Sequence, residues 1–250
     1  MTFKDHFSQG SAAYAAARPR YPRALVDFLA GACASTALAW DVGCGSGQLS
    51  TLLAARFGKV IATDASAEQL EHAEAHARVE YRRALAEASG LDARSVDLVT
   101  AAQAAHWFDL PRFYDEVRRV ARGPGAVLAL VTYAWHSVAP AIDEVVAPFA
   151  LGTLAPFWPK ERKSVEDGYA SLDFPFARLE APALELSADW DVDAMLAYIR
   201  TWSAVSAFVR AGHEAELQRF EADVRKAWGP IGARRVTWPL TVVAGRVEDR

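Results

Sequence analysis

The chain has 250 residues, 52% hydrophobic and 23% charged, enough for one domain with a full-sized core or one domain with an inserted cap. Lys and Arg total 27 against 31 Asp and Glu, and the net charge of −4 argues against a broad nucleic-acid-binding face. Two cysteines, Cys33 and Cys44, cannot by themselves build a disulfide framework or a four-ligand zinc site, and no apolar run approaches the roughly 18 residues of a membrane helix.

Residues 1–36 precede the first expected strand. The start is polar, with Lys4 and Asp5, and does not read as a signal peptide, so a cytoplasmic protein is expected. Phe7, Tyr14, Arg18-Pro19 and Tyr21-Pro22 punctuate this segment. Pro22 suits the first position of a helix whose apolar face is Leu25, Val26, Phe28 and Leu29, ending at Gly31.

An apolar strand, Leu38–Val42, then runs into Gly43-Cys44-Gly45-Ser46-Gly47-Gln48 and an amphipathic stretch with Leu49, Leu52, Leu53 and Phe57. That order reads strand, glycine loop, helix, with a helix N-terminus aimed at whatever lies over the loop. The spacing is G-x-G-x-G; a dinucleotide fingerprint would need its third glycine where Gln48 stands. Asp41, two places before the first glycine, is unnecessary for a pyrophosphate but suits a ligand carrying an ammonium and a sulfonium. Cys44 reads as a small residue that such a loop tolerates, since no base partner is adjacent.

The second strand, Val60–Thr63, ends at Asp64, and Ser66 with Gln69 forms a capping box for the next helix. An ionised carboxylate there can accept both hydroxyls of a vicinal diol, as a ribose-binding acid does. Glu80 to Ala84 reads as the third strand, followed by Leu85-Ala86-Glu87. The fourth, Val96–Thr100, leads into Ala101-Ala102-Gln103-Ala104-Ala105-His106-Trp107-Phe108-Asp109, at the strand end where open α/β sheets bind ligands. Gln103 offers an amide to a cofactor or substrate, Trp107 an apolar wall, and His106 either a base or a carboxylate anchor. Asp109 is expected to cap a helix with Phe113, Val117 and Val120 inward and Gly123 as its stop.

Ala126 to Thr132 is a continuous apolar run, typical of a central parallel strand, with Tyr133, Trp135 and His136 at its carboxyl end. Five prolines, at 140, 148, 156, 159 and 175, loosen the pattern from 137 to 177. A helix opening near Asp191 carries Met195, Leu196, Ile199, Trp202, Val205 and Val209, and another spans 213–228. Strand candidates Arg178–Leu186 and Val236–Val243 complete the sheet. Trp202 is expected in the core, and Arg200 either solvated or reaching an anionic substrate.

Asp41-Val42-Gly43-Cys44-Gly45-Ser46-Gly47 resembles motif I of class I S-adenosylmethionine-dependent methyltransferases. The Phe…Tyr-x-x-x-Arg-Pro-x-Tyr-Pro segment, the Ala-x-Gln-Ala-x-His-Trp-Phe string and Arg200-Thr201-Trp202-Ser203 are similar to those of a trans-aconitate methyltransferase-like subgroup, a methyltransferase type 11/12 domain. This resemblance implies a Rossmann-like doubly wound α/β fold, with a seven-stranded, mostly parallel sheet whose last strand is antiparallel. Residues 1–36 would form a lid segment, 37–135 the cofactor-binding core, and 136–250 a helical cap with the final strands. It implies cofactor contacts at Tyr14, Arg18, Asp41, Gly43, Cys44, Gly45, Gly47, Asp64, Ala65, Ala86, Glu87 and Gln103, with Arg18 on the cofactor carboxylate. Leu85 stands where relatives often carry an acid for the adenine amino group, a departure that puts that contact in doubt.

On the same footing His106 is the expected base or substrate anchor. Tyr21, Trp107, Tyr133 and Arg200 are expected at the substrate, and no metal is implied. The implied cofactor is S-adenosylmethionine, with S-adenosylhomocysteine as product. The partner is a small-molecule acceptor methylated on a carboxylate or another O, N or C atom. No nucleic acid or membrane is expected, and the oligomeric state is left open. Two other readings remain: a protein that binds S-adenosylmethionine without catalysis, and a nicotinamide-dependent oxidoreductase, disfavoured by Gln48 and the long N-terminal segment.

Overall fold

The computed structural model describes residues 18–248. The sheet path runs β3 (Val79–Arg83), β2 (Lys59–Asp64), β1 (Leu38–Val42), β4 (Leu98–Ala102), β5 (Val127–Thr132), β8 (Arg234–Arg246) and β6 (Ala177–Leu179). Strands β3 to β5 pair in parallel, and β8 inserts antiparallel between β5 and β6. The seven-stranded path with an antiparallel last strand is as the resemblance implied.

Strand β8 is longer than expected. Its second half pairs with β5 from Thr241 to Arg246, while Arg234 to Leu240 leaves the path to pair with β7 (Leu184–Trp190). The single strand expected over Arg178–Leu186 is therefore two, β6 and β7. Pro182 lies between them, and proline, lacking an N–H, cannot donate to a ladder.

Side chains alternate across the sheet and both faces are covered. On one face Ala39, Val60, Leu98, Val127, Ala129 and Val131 meet α1 (Arg23–Ala32), α2 (Gln48–Leu53) and the cap. On the other, Trp40, Ile61, Val99, Leu128 and Leu130 meet Phe113, Val117 and Val120 of α4 (Leu110–Val120). Burial on both sides explains why β5 reads as an unbroken apolar run. Helix α3 (Ala67–Glu71) opens as expected, with Ser66 Oγ accepting from Gln69 N–H at 3.3 Å.

Three boundaries differ from the sequence reading. Pro22 caps α1 from outside and Gly31 lies inside it. Asp109 does not cap α4 with its side chain; its backbone N–H instead donates to Glu87 Oε1 at 2.8 Å, and the helix ends at Val120, before Gly123. The expected helix from Asp191 through Val209 breaks at Trp202, whose backbone is extended, into α7 (Val192–Arg200) and α8 (Ser203–Arg210). Helix α9 (Glu214–Trp228) and α5 (Pro140–Pro148) complete the cap, and α6 (Arg162–Glu166) precedes β6. Among the described residues no helix is long and apolar enough to cross a membrane, and no cluster of three or more metal-ligating side chains occurs.

Candidate active site

The loops after β1, β2, β3 and β4 meet at the carboxyl ends of the parallel strands. All three loop glycines are left-handed, with φ of +65° at Gly43, +55° at Gly45 and +84° at Gly47. A Cβ on Gly43 would lie 2.5 Å from the Ala104 methyl of the loop after β4, and one on Gly47 would clash with the Tyr81 hydroxyl. Glycine is thus required at these two positions both by conformation and by close approach. Gly45 differs: its Cβ position meets only Gln69 Oε1, at 3.6 Å, so its face is open.

Asp64 ties this loop to its own strand end. Its Oδ2 accepts from Gly45 N–H at 2.8 Å and its Oδ1 from Ser66 N–H at 2.9 Å. Cys44 N–H donates to Thr63 O at 3.0 Å, and burial pushes the Cys44 thiol well up, as suits an unreactive packing residue. Asp41 is 1% exposed and accepts from Ser50 Oγ at 2.6 Å and Thr100 Oγ1 at 2.8 Å. Burial raises its pKa to about 6 against those hydrogen bonds, with the Asp64 charge adding to the rise. It makes no ion pair among the described residues, so a cationic ligand nearby would relieve its buried charge.

Ala65 is half-buried, and its carbonyl accepts from Arg83 Nε at 3.1 Å. Leu85 to Ala88 form a tight turn in which Ala86 is buried and Leu85 is 50% exposed. Glu87, half-buried, fastens this turn to the start of α4 through its Oε1. Gln103 sits at φ +54°, an uncommon conformation for a non-glycine residue, held by its N–H donating to Val131 O at 2.8 Å. Its Nε2 donates to Tyr133 O at 2.6 Å and its Oε1 accepts from Thr132 Oγ1 at 2.9 Å.

His106 and Trp107 lie on a 3₁₀ turn, Ala105–Trp107, with their rings 4.8 Å apart. His106 Nδ1 is 2.9 Å from the Tyr169 hydroxyl. Burial, then the nearby Arg162 charge, lowers its pKa to about 4, so the imidazole is neutral at pH 7. Tyr169 follows Gly168, and both are left-handed at φ +63°, without strain for the glycine but strained for Tyr169, whose buried ring lies against His106.

At the end of β5, Arg18 Nη1 donates to Tyr133 Oη at 3.3 Å and its guanidinium lies 5.5 Å over the Tyr198 ring. Tyr21 packs edge-on against Tyr133 at 6.4 Å. Tyr14 lies outside the described residues. Arg200 is apart from this group: it is ion-paired to Glu221 at 2.5 Å and Glu214 at 3.4 Å on the cap surface. Of the two expectations for Arg200, a surface position matches the structure, and its carboxylate partners there are Glu221 and Glu214. Trp202 is buried in the core, as expected. Sequence reasoning missed Trp158, Arg162, Tyr169 and Tyr198, which come from the proline-interrupted segment and the cap, where no periodicity marks a site.

A family model described as a methyltransferase domain matches residues 40–129, the glycine loop through β5. A solved structure described as a candidate type II methyltransferase from Anaeromyxobacter dehalogenans is 49% identical, covers 93% of this chain and 99% of that one, and superposes with a TM-score of 0.87. A candidate methyltransferase from Dictyostelium discoideum is 34% identical over 255 residues, 98% of this chain and 96% of the relative. An uncharacterised methyltransferase from Mycobacterium bovis is 41% identical over 128 residues, about half of each chain (50% and 51%). Full-length matches of this kind, on a sheet and glycine loop of this geometry, make the chain a member of the S-adenosylmethionine-dependent methyltransferase family.

Proposed function

We propose that this methyltransferase acts on a small-molecule acceptor, with its cofactor over the glycine loop and its acceptor beneath the cap. The subgroup resembling trans-aconitate methyltransferases is part of this reading, carried by the His106-Trp107 string. The observation that carries the cofactor half is the Gly45–Asp64 contact at 2.8 Å, beside an open glycine face, which sets a carboxylate at the end of β2.

In this reading Asp64 accepts from the ribose diol, with Ala65 beside it. The Ala86 N–H faces the adenine ring and Leu85 covers it with apolar surface, while Glu87 holds their turn in place. Gly43, Cys44, Gly45 and Gly47 provide main chain against the amino-acid part, and Asp41 supplies the field of a buried carboxylate. Arg18 offers a fork to the cofactor carboxylate, and Tyr14, outside the described residues, remains a cofactor contact in the same reading. Gln103 fixes the end of β5 and retains one N–H for the cofactor.

S-adenosylmethionine, when bound, supplies an activated methyl group on a sulfonium. The protein's part is to align the acceptor and exclude water. Trp107, Tyr21 and Tyr133 wall the acceptor space, and their aromatic faces suit a cation. His106, neutral and oriented by Tyr169, can accept a proton from an acceptor that carries one.

The test is calorimetric titration of S-adenosylhomocysteine and NAD into the wild type and Asp64→Ala. Micromolar S-adenosylhomocysteine binding, weakened at least tenfold by the substitution, is expected, a loss of roughly 1.4 kcal/mol or more. Binding of NAD instead, or of neither ligand, would sink the reading.

A further inference from the structure

Arg162 has surroundings that the cofactor reading does not use. Its guanidinium lies 3.8 Å over the Trp158 ring and 4.5 Å over that of Trp135. Trp202 closes the box, 6.0 Å from Trp135 and 5.7 Å from Trp158. Only Nε is hydrogen-bonded to protein among the described residues, to Glu166 Oε1 at 3.2 Å. The two terminal nitrogens make no such bond, and they are not sealed off, since a fifth of the side chain (20%) stays exposed.

This cation belongs to the acceptor side of the site. Helix α6, which Arg162 begins, packs against the 3₁₀ turn that carries His106. Its charge reaches His106, and Arg18 lies close enough to repel it. Arg18 itself stands on Tyr198, whose ring is 5.8 Å from Trp202, so two guanidiniums share one aromatic cluster. Glu166 is the carboxylate that pairs with Arg162 among the described residues, and it occupies only Nε. An arginine stays protonated however it is buried. A partly desolvated guanidinium whose two terminal nitrogens form a free N–H edge is complementary to a planar oxyanion, which it can grip bidentately.

We infer that Arg162, clamped between Trp135 and Trp158, is the anchor for a carboxylate on the acceptor, so that the substrate is a small organic acid whose methylated atom lies outside that carboxylate. The second half follows from the first: a carboxylate gripped by a guanidinium fork has its negative charge stabilised by charge-assisted hydrogen bonds and is a weaker nucleophile. This inference rests on the proposed function, because it places the anchor in that reading's acceptor space.

The experiment uses full-length protein saturated with S-adenosylhomocysteine and titrated with benzoate, phenylacetate and succinate, each against its neutral amide and, for benzoate, against phenyl phosphate. At least one acid should bind, with its amide at least 30-fold weaker. Arg162→Gln should lower acid affinity at least 30-fold, and Arg162→Lys, which keeps the charge but not the fork, by less. Cofactor-product affinity should stay within twofold in both variants, and their melting temperatures show whether the box still folds.

Equal binding of acid and amide, no binding of any acid, a preference for phenyl phosphate, or acid affinity untouched by Arg162→Gln overturns the anchor. Formation of methyl benzoate from benzoate and S-adenosylmethionine overturns the claim about the methylated atom. Loss of S-adenosylhomocysteine binding in the wild type would instead bring down the proposed function itself.

Discussion

Around the ends of β1 and β2 the candidate site is made of main chain: three left-handed glycines and two carboxylates, Asp41 and Asp64, within one loop and one strand end. Around the end of β5 it is made of side chains: Tyr21, Tyr133, Trp135, Trp158, Tyr198 and Trp202, with Arg18 and Arg162 laid on their faces. The first region is acidic and built from neighbours in sequence; the second is cationic and drawn from four distant segments. A backbone surface demands particular residues at fixed spacing, whereas a side-chain surface demands only that certain groups arrive at one place. The first kind can be shared by every member of a family that binds one cofactor, and the second is free to change with the acceptor.

The strongest way to break this comparison is to give the backbone region a side chain. Gly43→Ala forces φ +65° on a residue that resists it and sets a methyl 2.5 Å from Ala104. We expect S-adenosylhomocysteine affinity to fall at least 100-fold and stability by about 2 kcal/mol, measured by calorimetry and denaturant melts. Gly31→Ala, inside α1 with nothing near its Cβ position, should instead gain about 0.5 kcal/mol. If the two substitutions behaved alike, the loop glycines would carry no special geometry.

Next in size is Asp41→Asn. Burial raises the Asp41 pKa from its usual 3.8 to about 6, so between those pH values the folded chain binds more protons than the unfolded one. Its contribution to stability therefore declines as pH rises through that window and stays low above it. The Asn variant without cofactor should be at least as stable as wild type at pH 8, by on the order of 1–2 kcal/mol. Its affinity for S-adenosylmethionine should nonetheless drop about tenfold, and the wild type's should drop as pH is lowered from 7 to 5. Unchanged affinity would reduce Asp41 to a pin between Ser50 and Thr100.

The same contrast governs what could be read from the sequence. The glycine loop, Asp64, the capping box at Ser66 and the unbroken run of β5 were legible because each is a local pattern with a backbone cause. The division of the expected Arg178–Leu186 strand was foreshadowed by Pro182, although the pattern alone gave no register. Trp202 was placed correctly in the core by helical spacing, yet the same spacing hid the break that separates α7 from α8. Arg162 carried no signal, because its meaning lies in two tryptophans, one of them 27 positions away, at Trp135. The His106 string identified a corner of the site but not Tyr169, which reaches it from a segment without periodicity.

Tyr169→Phe tests that corner with a smaller effect. It leaves the buried Nδ1 of His106 without its partner at 2.9 Å, costing about 1–2 kcal/mol of stability. Turnover should fall several-fold once an acceptor is found, with cofactor affinity unchanged. Because the His106 pKa is lowered to about 4, the imidazole stays neutral from pH 6 to 8 and the wild-type rate should show no limb near 6.5 in that range. The same shift makes His106 favour unfolding as pH falls from 6.5 towards 4, where the unfolded chain takes up a proton that the folded one refuses.

The smallest effect is expected at Arg200, and its smallness is informative. Arg200 and Arg162 each stand at a helix end, and of the two only Arg200 was offered as a substrate contact by the sequence. Arg200 has its Nε edge taken: Nε and Nη2 reach Glu221 at 2.5 and 2.9 Å, on a side chain that is 44% exposed. A solvent-exposed ion pair of this kind contributes no more than about 1 kcal/mol. Arg200→Ala should therefore lower the melting temperature slightly and leave acceptor and cofactor affinities within twofold. Arg162→Gln, which removes a cation whose terminal nitrogens are open, should instead lower acceptor affinity at least 30-fold while leaving cofactor affinity within twofold. A kinetic defect at Arg200 with none at Arg162 would mean that the acceptor approaches from the cap's outer surface, and that the aromatic box is packing alone.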